Sequence, residues 1–232
     1  MTNKMESIRN IFMAAVIAIT AAAATSCYVR ISDEAKKDFK KDLELRIESR
    51  GQVYSESDSI VFHPGTFSGI SSVGAVDIEF IMSDSEPVVS VFGTHVTRDS
   101  VKVEVIDGKL FIYTSSPLMY DEHIRIYAPA VEEIETKGSA DFKGTIAGEK
   151  LQVANLGSGD MTLHLTDVGD LKVSSSGSGD IVLTGKAREA TIHMAGSGDM
   201  DALGLDAEKI SASSHGSGDM VYRKDGKTVR KD

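Results

Sequence analysis

Gly157-Ser158-Gly159-Asp160, Gly177-Ser178-Gly179-Asp180, Gly196-Ser197-Gly198-Asp199 and Gly216-Ser217-Gly218-Asp219 repeat one tetrapeptide four times, with a degenerate copy upstream at Gly138-Ser139-Ala140-Asp141. Successive aspartates lie 19, 20, 19 and 20 residues apart. A period in that range marks a repeat architecture, in which each unit buries its apolar face only by stacking on its neighbours. Before the tetrapeptides, Leu151 and Val153, Leu171 and Val173, Ala190, Ile192 and Met194, and Ile210 and Ala212 occupy alternate positions, with polar Gln152, Lys172, Thr191 and Ser211 between them. After them come Met161, Leu163 and Leu165, then Ile181 and Leu183, Met200 and Ala202, and Met220 and Tyr222, again at every second position. Period 2 is the signature of strands, and neither the 3.6-residue period of helical repeats nor leucine-rich-repeat spacing is present. Each unit is thus two short strands joined through the tetrapeptide. Strands recurring at a fixed interval stack about 4.8 Å apart, each rung burying the inward row of the next. The predicted fold is all-β, a right-handed parallel β-helix whose rungs are roughly 20 residues long.

Upstream of the repeat the same period continues, in Val76, Ile78 and Phe80, residues 88–92, Val101, Val103 and Val105, Leu110 and Ile112, and Ile124 and Ile126. Asp107-Gly108 separates two of these strands and is a strong short-range hairpin signal, since Gly accepts the positive φ that a two-residue turn demands. Part of this half is therefore antiparallel or irregular. Residues 32–50 are charge-dense. Ala35, Phe39 and Leu43 fit a short helix capped by Ser32, while Leu43, Leu45 and Ile47 alternate as a strand would, so both readings of this segment stand.

The chain has 232 residues, 41% hydrophobic and 26% charged, which excludes wholesale disorder. With aromatics at 6% and no Trp, the core must come from Val, Ile, Leu, Met and Ala. A formal charge of −10 argues against nucleic acid and against electrostatic binding to an anionic bilayer. One cysteine excludes an internal disulfide framework.

Lys4 and Arg9 precede a run without charge at residues 11–24. This is the layout of a secretory signal peptide, and the run is short of the roughly 20 residues a membrane-spanning helix needs. Cys27 follows Ala24-Thr25-Ser26 directly and resembles a lipobox of the Bacteroidetes type, so Cys27 is expected to be lipidated after cleavage. The attached acyl chains supply the two or more anchors that stable membrane attachment requires. Cleavage removes Lys4, Arg9 and Glu6 and takes the net charge from −10 to −11. The predicted organisation is a signal peptide at 1–26, a charged tether at 27–66, the β-helical domain at 67–222 and a charged tail at 223–232.

The tetrapeptide has two readings. Structurally, Gly138, Gly157, Gly159, Gly177, Gly179, Gly196, Gly198, Gly216 and Gly218 supply the backbone freedom of a corner, while Ser and Asp accept hydrogen bonds from turn N–H groups. Functionally, Asp141, Asp160, Asp180, Asp199 and Asp219 would stand in one row, where neighbours repel by roughly 0.9 kcal/mol in water unless they fan into solvent or are neutralised. Calcium accepts such oxygens but prefers six to eight, and one carboxylate per rung is too few for a tight site. The expectation is a structural ladder, no required cofactor, and calcium affinity that is millimolar or absent. His164, His193 and His215 fall at three phases of the repeat and are not expected to stack into a metal site. No catalytic residue stands out.

The domain resembles the head GIN domain of putative auto-transporter adhesins, a family of unknown function common in secreted and lipid-anchored Bacteroidetes proteins. The resemblance spans about residues 67–222. It rests on Phe67-Ser68-Gly69-Ile70 leading to Gly74-Ala75-Val76-Asp77-Ile78, on residues 101–112 with Asp107-Gly108-Lys109-Leu110, on residues 124–129, and most specifically on the tetrapeptide ladder. It implies a β-helical domain with an adhesive role and carries no catalytic or binding residues. No translocating barrel is expected after Tyr222, so lipid at Cys27 would provide the attachment. The expected function is that of a noncatalytic envelope lipoprotein, located in the outer membrane and binding glycan or protein. The alternative is a polysaccharide-processing enzyme on the same scaffold, which would need a distinct cluster of acid, base and cation. Tyr28-Val29-Arg30 lacks an acidic run of the kind that resembles a surface-export signal, which favours the periplasmic face.

Overall fold

The computed structural model describes residues 59–93, 100–114 and 122–231. Cys27, the signal run and the segment 32–50 lie outside the described residues. Fourteen strands make up one mixed sheet: β1 (Ser59–Phe62), β2 (Gly69–Gly74), β3 (Asp77–Met82), β4 (Val88–Phe92), β5 (Val101–Ile106), β6 (Lys109–Thr114) and β7 (His123–Ala128), then β8 (Glu133–Gly138), β9 (Phe142–Asn155), β10 (Met161–Ser175), β11 (Ile181–Met194), β12 (Met200–Ser214), β13 (Met220–Lys224) and β14 (Lys227–Lys231). No helix occurs among the described residues.

From β9 to β12 the strands are parallel, and each residue lies beside its counterpart one repeat away, as in Phe142↔Met161↔Ile181↔Met200↔Met220. The two short strands foreseen in each unit run on as a single ladder of 14 or 15 residues. Alternation puts Leu163, Leu183 and Ala202 inside and Thr162, Val182 and Asp201 outside. Upstream of β9 the sheet forks. The first half of β9 pairs with β3, which continues to β7, β4 and β1. The second half pairs with β8, which continues to β2, β6 and β5. Inward residues of both arms, including Ile78, Phe80 and Phe142 from one and Ile70, Leu110 and Ile134 from the other, belong to a single buried cluster.

The fold is therefore all-β with a parallel repeat, but the sheet is not parallel throughout. β1–β4, β4–β7, β5–β6 and β13–β14 are antiparallel. At two of these the cause is a tight turn: Asp107 and Gly108 take φ of 51° and 75°, and Asp225 and Gly226 take 52° and 72°. Positive φ at both central residues matches the right-handed twist of a hairpin. The first turn is legible in the sequence as Asp-Gly, and the same dipeptide at 225–226 turns residues assigned to a charged tail into the second strand of a hairpin. Likewise β1, within the stretch assigned to the tether, pairs with β4.

Candidate binding surface

Six links of the chain, from residues 75–76 and 139–141 up to 215–219, stack at the corner where the second arm passes into the first, and the repeat residues meet there. Within the corner, the N–H of Ser158, Ser178, Ser197 and Ser217 donates to the carbonyl of Gly138, Gly157, Gly177 and Gly196 respectively, at 2.6–3.1 Å. Ladder pairing thus continues through the turn. A Cβ on Gly157, Gly177, Gly196 or Gly216 would collide with the carbonyl oxygen of the first glycine one rung back, and one on Gly159, Gly179, Gly198 or Gly218 with the carbonyl oxygen of Ala140, Gly159, Gly179 or Gly198. Among the nine ladder glycines only Gly138 has a positive φ, of 112°. Close stacking of backbone on backbone, rather than a left-handed conformation, is therefore what demands glycine at the other eight.

The aspartates form a second ladder. Asp180 N–H donates to Asp160 Oδ1 at 2.8 Å, Asp199 N–H to Asp180 Oδ1 at 2.7 Å and Asp219 N–H to Asp199 Oδ1 at 2.8 Å. Below them Asp160 N–H reaches Asp141 Oδ1 at 2.8 Å, and Asp141 N–H reaches Asp77 Oδ1 at 3.0 Å. Each carboxylate that accepts in this way turns one oxygen to a backbone donor of the next rung, which offsets the repulsion within the row. Ser and Asp side chains stay exposed along this edge. Asp77 starts the ladder, and nothing periodic in the sequence marks it as a site residue. Gly74-Ala75-Val76-Asp77 keeps only the first and last positions of the motif and stands 64 residues from Asp141, so a fixed period misses it.

Asn155 is the other residue that sequence reasoning missed. It is fully buried, its Oδ1 accepts from Gly157 N–H at 3.1 Å and Thr136 Oγ1 at 3.2 Å, and its Nδ2 donates to Gly159 O at 2.9 Å. One side chain thereby ties both ends of a corner. Its counterparts in the following rungs are Ser175, Met194 and Ser214, so the role does not repeat and leaves no periodic signal.

On the second arm a concavity of about 380 Å³ opens outward. Its origin is Gly69, which lies in register between Lys109 and Glu133, and these two close over it with an ion pair of 2.6 Å. Gln152 and Lys172 extend the same row across the next two rungs. Lys150 pairs with Glu132 at 2.9 Å, and Arg188 with Asp170 at 3.1 Å, so each of these carboxylates faces a cation. Lys172 has no acidic partner among the described residues. Glu135 lies two residues along from Glu133 on the same strand. Burial pushes its carboxyl up, but hydrogen bonds from Lys137 and Ser71 and the charges of Lys137 and Lys109 together hold it below the usual range.

The histidines differ from expectation in one respect. His164 bonds Thr184 and stands alone, but the rings of His193 and His215 lie 5.4 Å apart on neighbouring rungs, because a two-residue phase difference across adjacent strands is a diagonal contact. No group of three or more His, Cys, Asp or Glu placed to hold a metal occurs among the described residues.

The fold and its repeated corner define the class: an all-β repeat domain with polar outer rows. The chain belongs to the family described as "putative auto-transporter adhesin, head GIN domain", whose model matches residues 66–227. Among solved structures it is similar to a putative adhesin from Bacteroides fragilis, with 26% identity and a TM-score of 0.63 over 73% of this chain and 82% of the other. A putative adhesin from Parabacteroides merdae shares the fold, with 19% identity and a TM-score of 0.55 over 72% and 81% of the two chains. So does a putative lipid binding protein from Parabacteroides distasonis, with 20% identity and a TM-score of 0.53 over 72% and 96%. No curated protein matches the chain.

Proposed function

We propose that this chain is a noncatalytic, lipid-anchored envelope protein whose outer rows bind glycan or protein. The observation that carries the reading is the concavity over Gly69, where Gln152 and Lys172 offer hydrogen-bond donors on a rigid strand face. Such a face suits weak polar recognition better than catalysis, since Glu133, Glu132 and Asp170 are ion-paired and a general acid needs a carboxyl kept protonated. Family membership supports an adhesin-like role at the cell envelope. Attachment is assigned to Cys27 from its place after the apolar run. A glycan array probed with the protein, beside polysaccharide cleavage assays, tests the function: selective binding lost in Lys172→Glu is expected, and turnover of any polysaccharide would replace the reading with an enzymatic one. Cys27→Ala is expected to abolish metabolic lipid labelling and release the protein from membranes, and unchanged fractionation would remove the anchor.

For the architecture, we infer a right-handed parallel β-helix in the repeat. A straight strand of 15 residues spans about 50 Å, whereas the five residues 156–160 or 176–180 reach about 20 Å with their flanking bonds. Parallel neighbours in register can be joined by so short a link only if each strand bends back within the rung. Right-handed crossover is the rule for parallel connections. A crystal structure of the domain tests the coil and its hand. We also propose that the aspartate ladder is structural and needs no cofactor, with calcium affinity millimolar or absent, because Oδ1 of Asp77, Asp141, Asp160, Asp180 and Asp199 is committed to a backbone donor. A stoichiometric micromolar calcium isotherm that disappears in Asp180→Asn would overturn that assignment.

A further inference from the structure

We propose that the last rung is a strand-addition site for an extended acidic peptide. Residues 200–202 of β12 pair with β13, but beyond them β12 pairs with β11 alone, from Lys209 through Ser214. In a strand the N–H and C=O of one residue point the same way, and the direction alternates along the chain. His215 N–H donates to Met194 O on β11, so Ile210, Ala212 and Ser214 direct their backbone groups away from β11. On that side Ala212 O accepts from Lys231 Nζ at 2.6 Å. No strand covers the rest among the described residues.

Two features distinguish this edge. The β5 and β14 edges carry charged residues that discourage pairing, Lys102 and Glu104 on one and Lys227, Arg230 and Lys231 on the other. Ser211-Ala212-Ser213-Ser214 has neither charge nor proline, a property it shares with the β1 edge at Ser59–Phe62, but β1 pairs with β4 alone and stands at the opposite end of the strand order from the β13–β14 hairpin. Beside it stands the β13–β14 hairpin, where Arg223, Lys224, Lys227, Arg230 and Lys231 face one acid, Asp225, in a chain whose net charge is −10. None of these five cations belongs to an ion pair among the described residues, and the first four are exposed apart from their backbone pairing. Lys231 already reaches over the free edge.

An extended peptide satisfies the backbone groups of Ile210, Ala212 and Ser214, and its carboxylates meet the hairpin cations. An anionic polymer or bilayer would meet the cations and leave the strand edge unpaired. A second copy would bring an identical cationic hairpin against the first, so like charges oppose that pairing.

Fluorescence anisotropy on the full chain in detergent tests this with three labelled octapeptides: alternating Glu and Thr, the same with Lys for Glu, and the acidic one with two of its threonines replaced by proline. The acidic peptide is expected to bind, the basic one not, and the proline version about tenfold more weakly. Arg230→Glu with Lys231→Glu should weaken the acidic peptide about tenfold, with an unchanged melting profile as the control for folding. Amide exchange needs no variant, and bound peptide should slow exchange at Ala212 and Ser214. Equal binding of the proline peptide, or binding without amide protection, means charge alone acts and overturns the proposal. So does absence of binding, or displacement of the peptide by self-association seen in sedimentation.

Discussion

Replacing Asp180 by Ala and by Asn separates two roles of one carboxylate. Alanine removes the acceptor for Asp199 N–H and should cost about 1 kcal/mol in chemical denaturation, whereas asparagine keeps Oδ1, removes one charge from the row, and should stay within about 0.5 kcal/mol of the parent. Equal losses would mean that charge matters and the acceptor does not. Glycines separate in the same way. Gly177→Ala should cost about 3 kcal/mol, since its Cβ would meet the carbonyl of Gly157 and a rung must shift, while Gly108→Ala meets no atom within 4 Å and should cost about 1 kcal/mol through its φ of 75° alone. Asn155→Leu leaves the corner groups it served without partners and should cost about 2 kcal/mol. Glu135 has a folded-state value below its ordinary one near 4.5, so its contribution is present above that value and is lost as pH falls through the depressed one. Glu135→Gln should therefore flatten the acid limb of the stability–pH curve and leave its shape above pH 6 unchanged.

Among the elements, strand length explains the uneven spacing of the tetrapeptides. β9 and β11 have 14 residues, β10 and β12 have 15, and all four corners have five, which yields intervals of 19 and 20 in alternation. The extra residue is absorbed where the register slips, between Leu165 and Asp167 against β9 and between Leu165 and Val168 against β11. Deleting Thr166 should thus leave the pairing on both sides intact and cost under about 1.5 kcal/mol, as the extra residue of a bulge is the one the ladder does not use. Deleting Thr162 should unfold the rung, because a one-residue slip turns the inward row outward. Circular dichroism and melting of the two deletions distinguish these outcomes. The interval pattern is visible in the sequence, but the point of slippage is not, since Thr166 and Asp167 look like any polar pair in a strand.

For the whole molecule, a repeat whose units touch only their neighbours should tolerate loss of a full pair of rungs. Removing residues 161–199 joins Asp160 to Met200, which restores the same Gly-Ser-Gly-Asp-Met junction and sets a 14-residue strand beside a 15-residue one, as β9 stands beside β10. A cooperative melt at lower temperature is expected, and an unfolded product would show that the rungs are not interchangeable. What the sequence determined alone is what repeats: alternation marks the strands, the tetrapeptide marks the corners, and both follow from contacts that every rung makes identically with the next. What only the tertiary structure decided is what occurs once. The forked arms, Asp77 at the foot of the ladder, Asn155 in its corner, the concavity over Gly69 and the meeting of His193 with His215 each depend on residues brought together across strands. The glycines show the division most sharply: their positions are periodic and legible, while the reason for them is the carbonyl oxygen of the neighbouring rung, which a single turn of sequence does not contain.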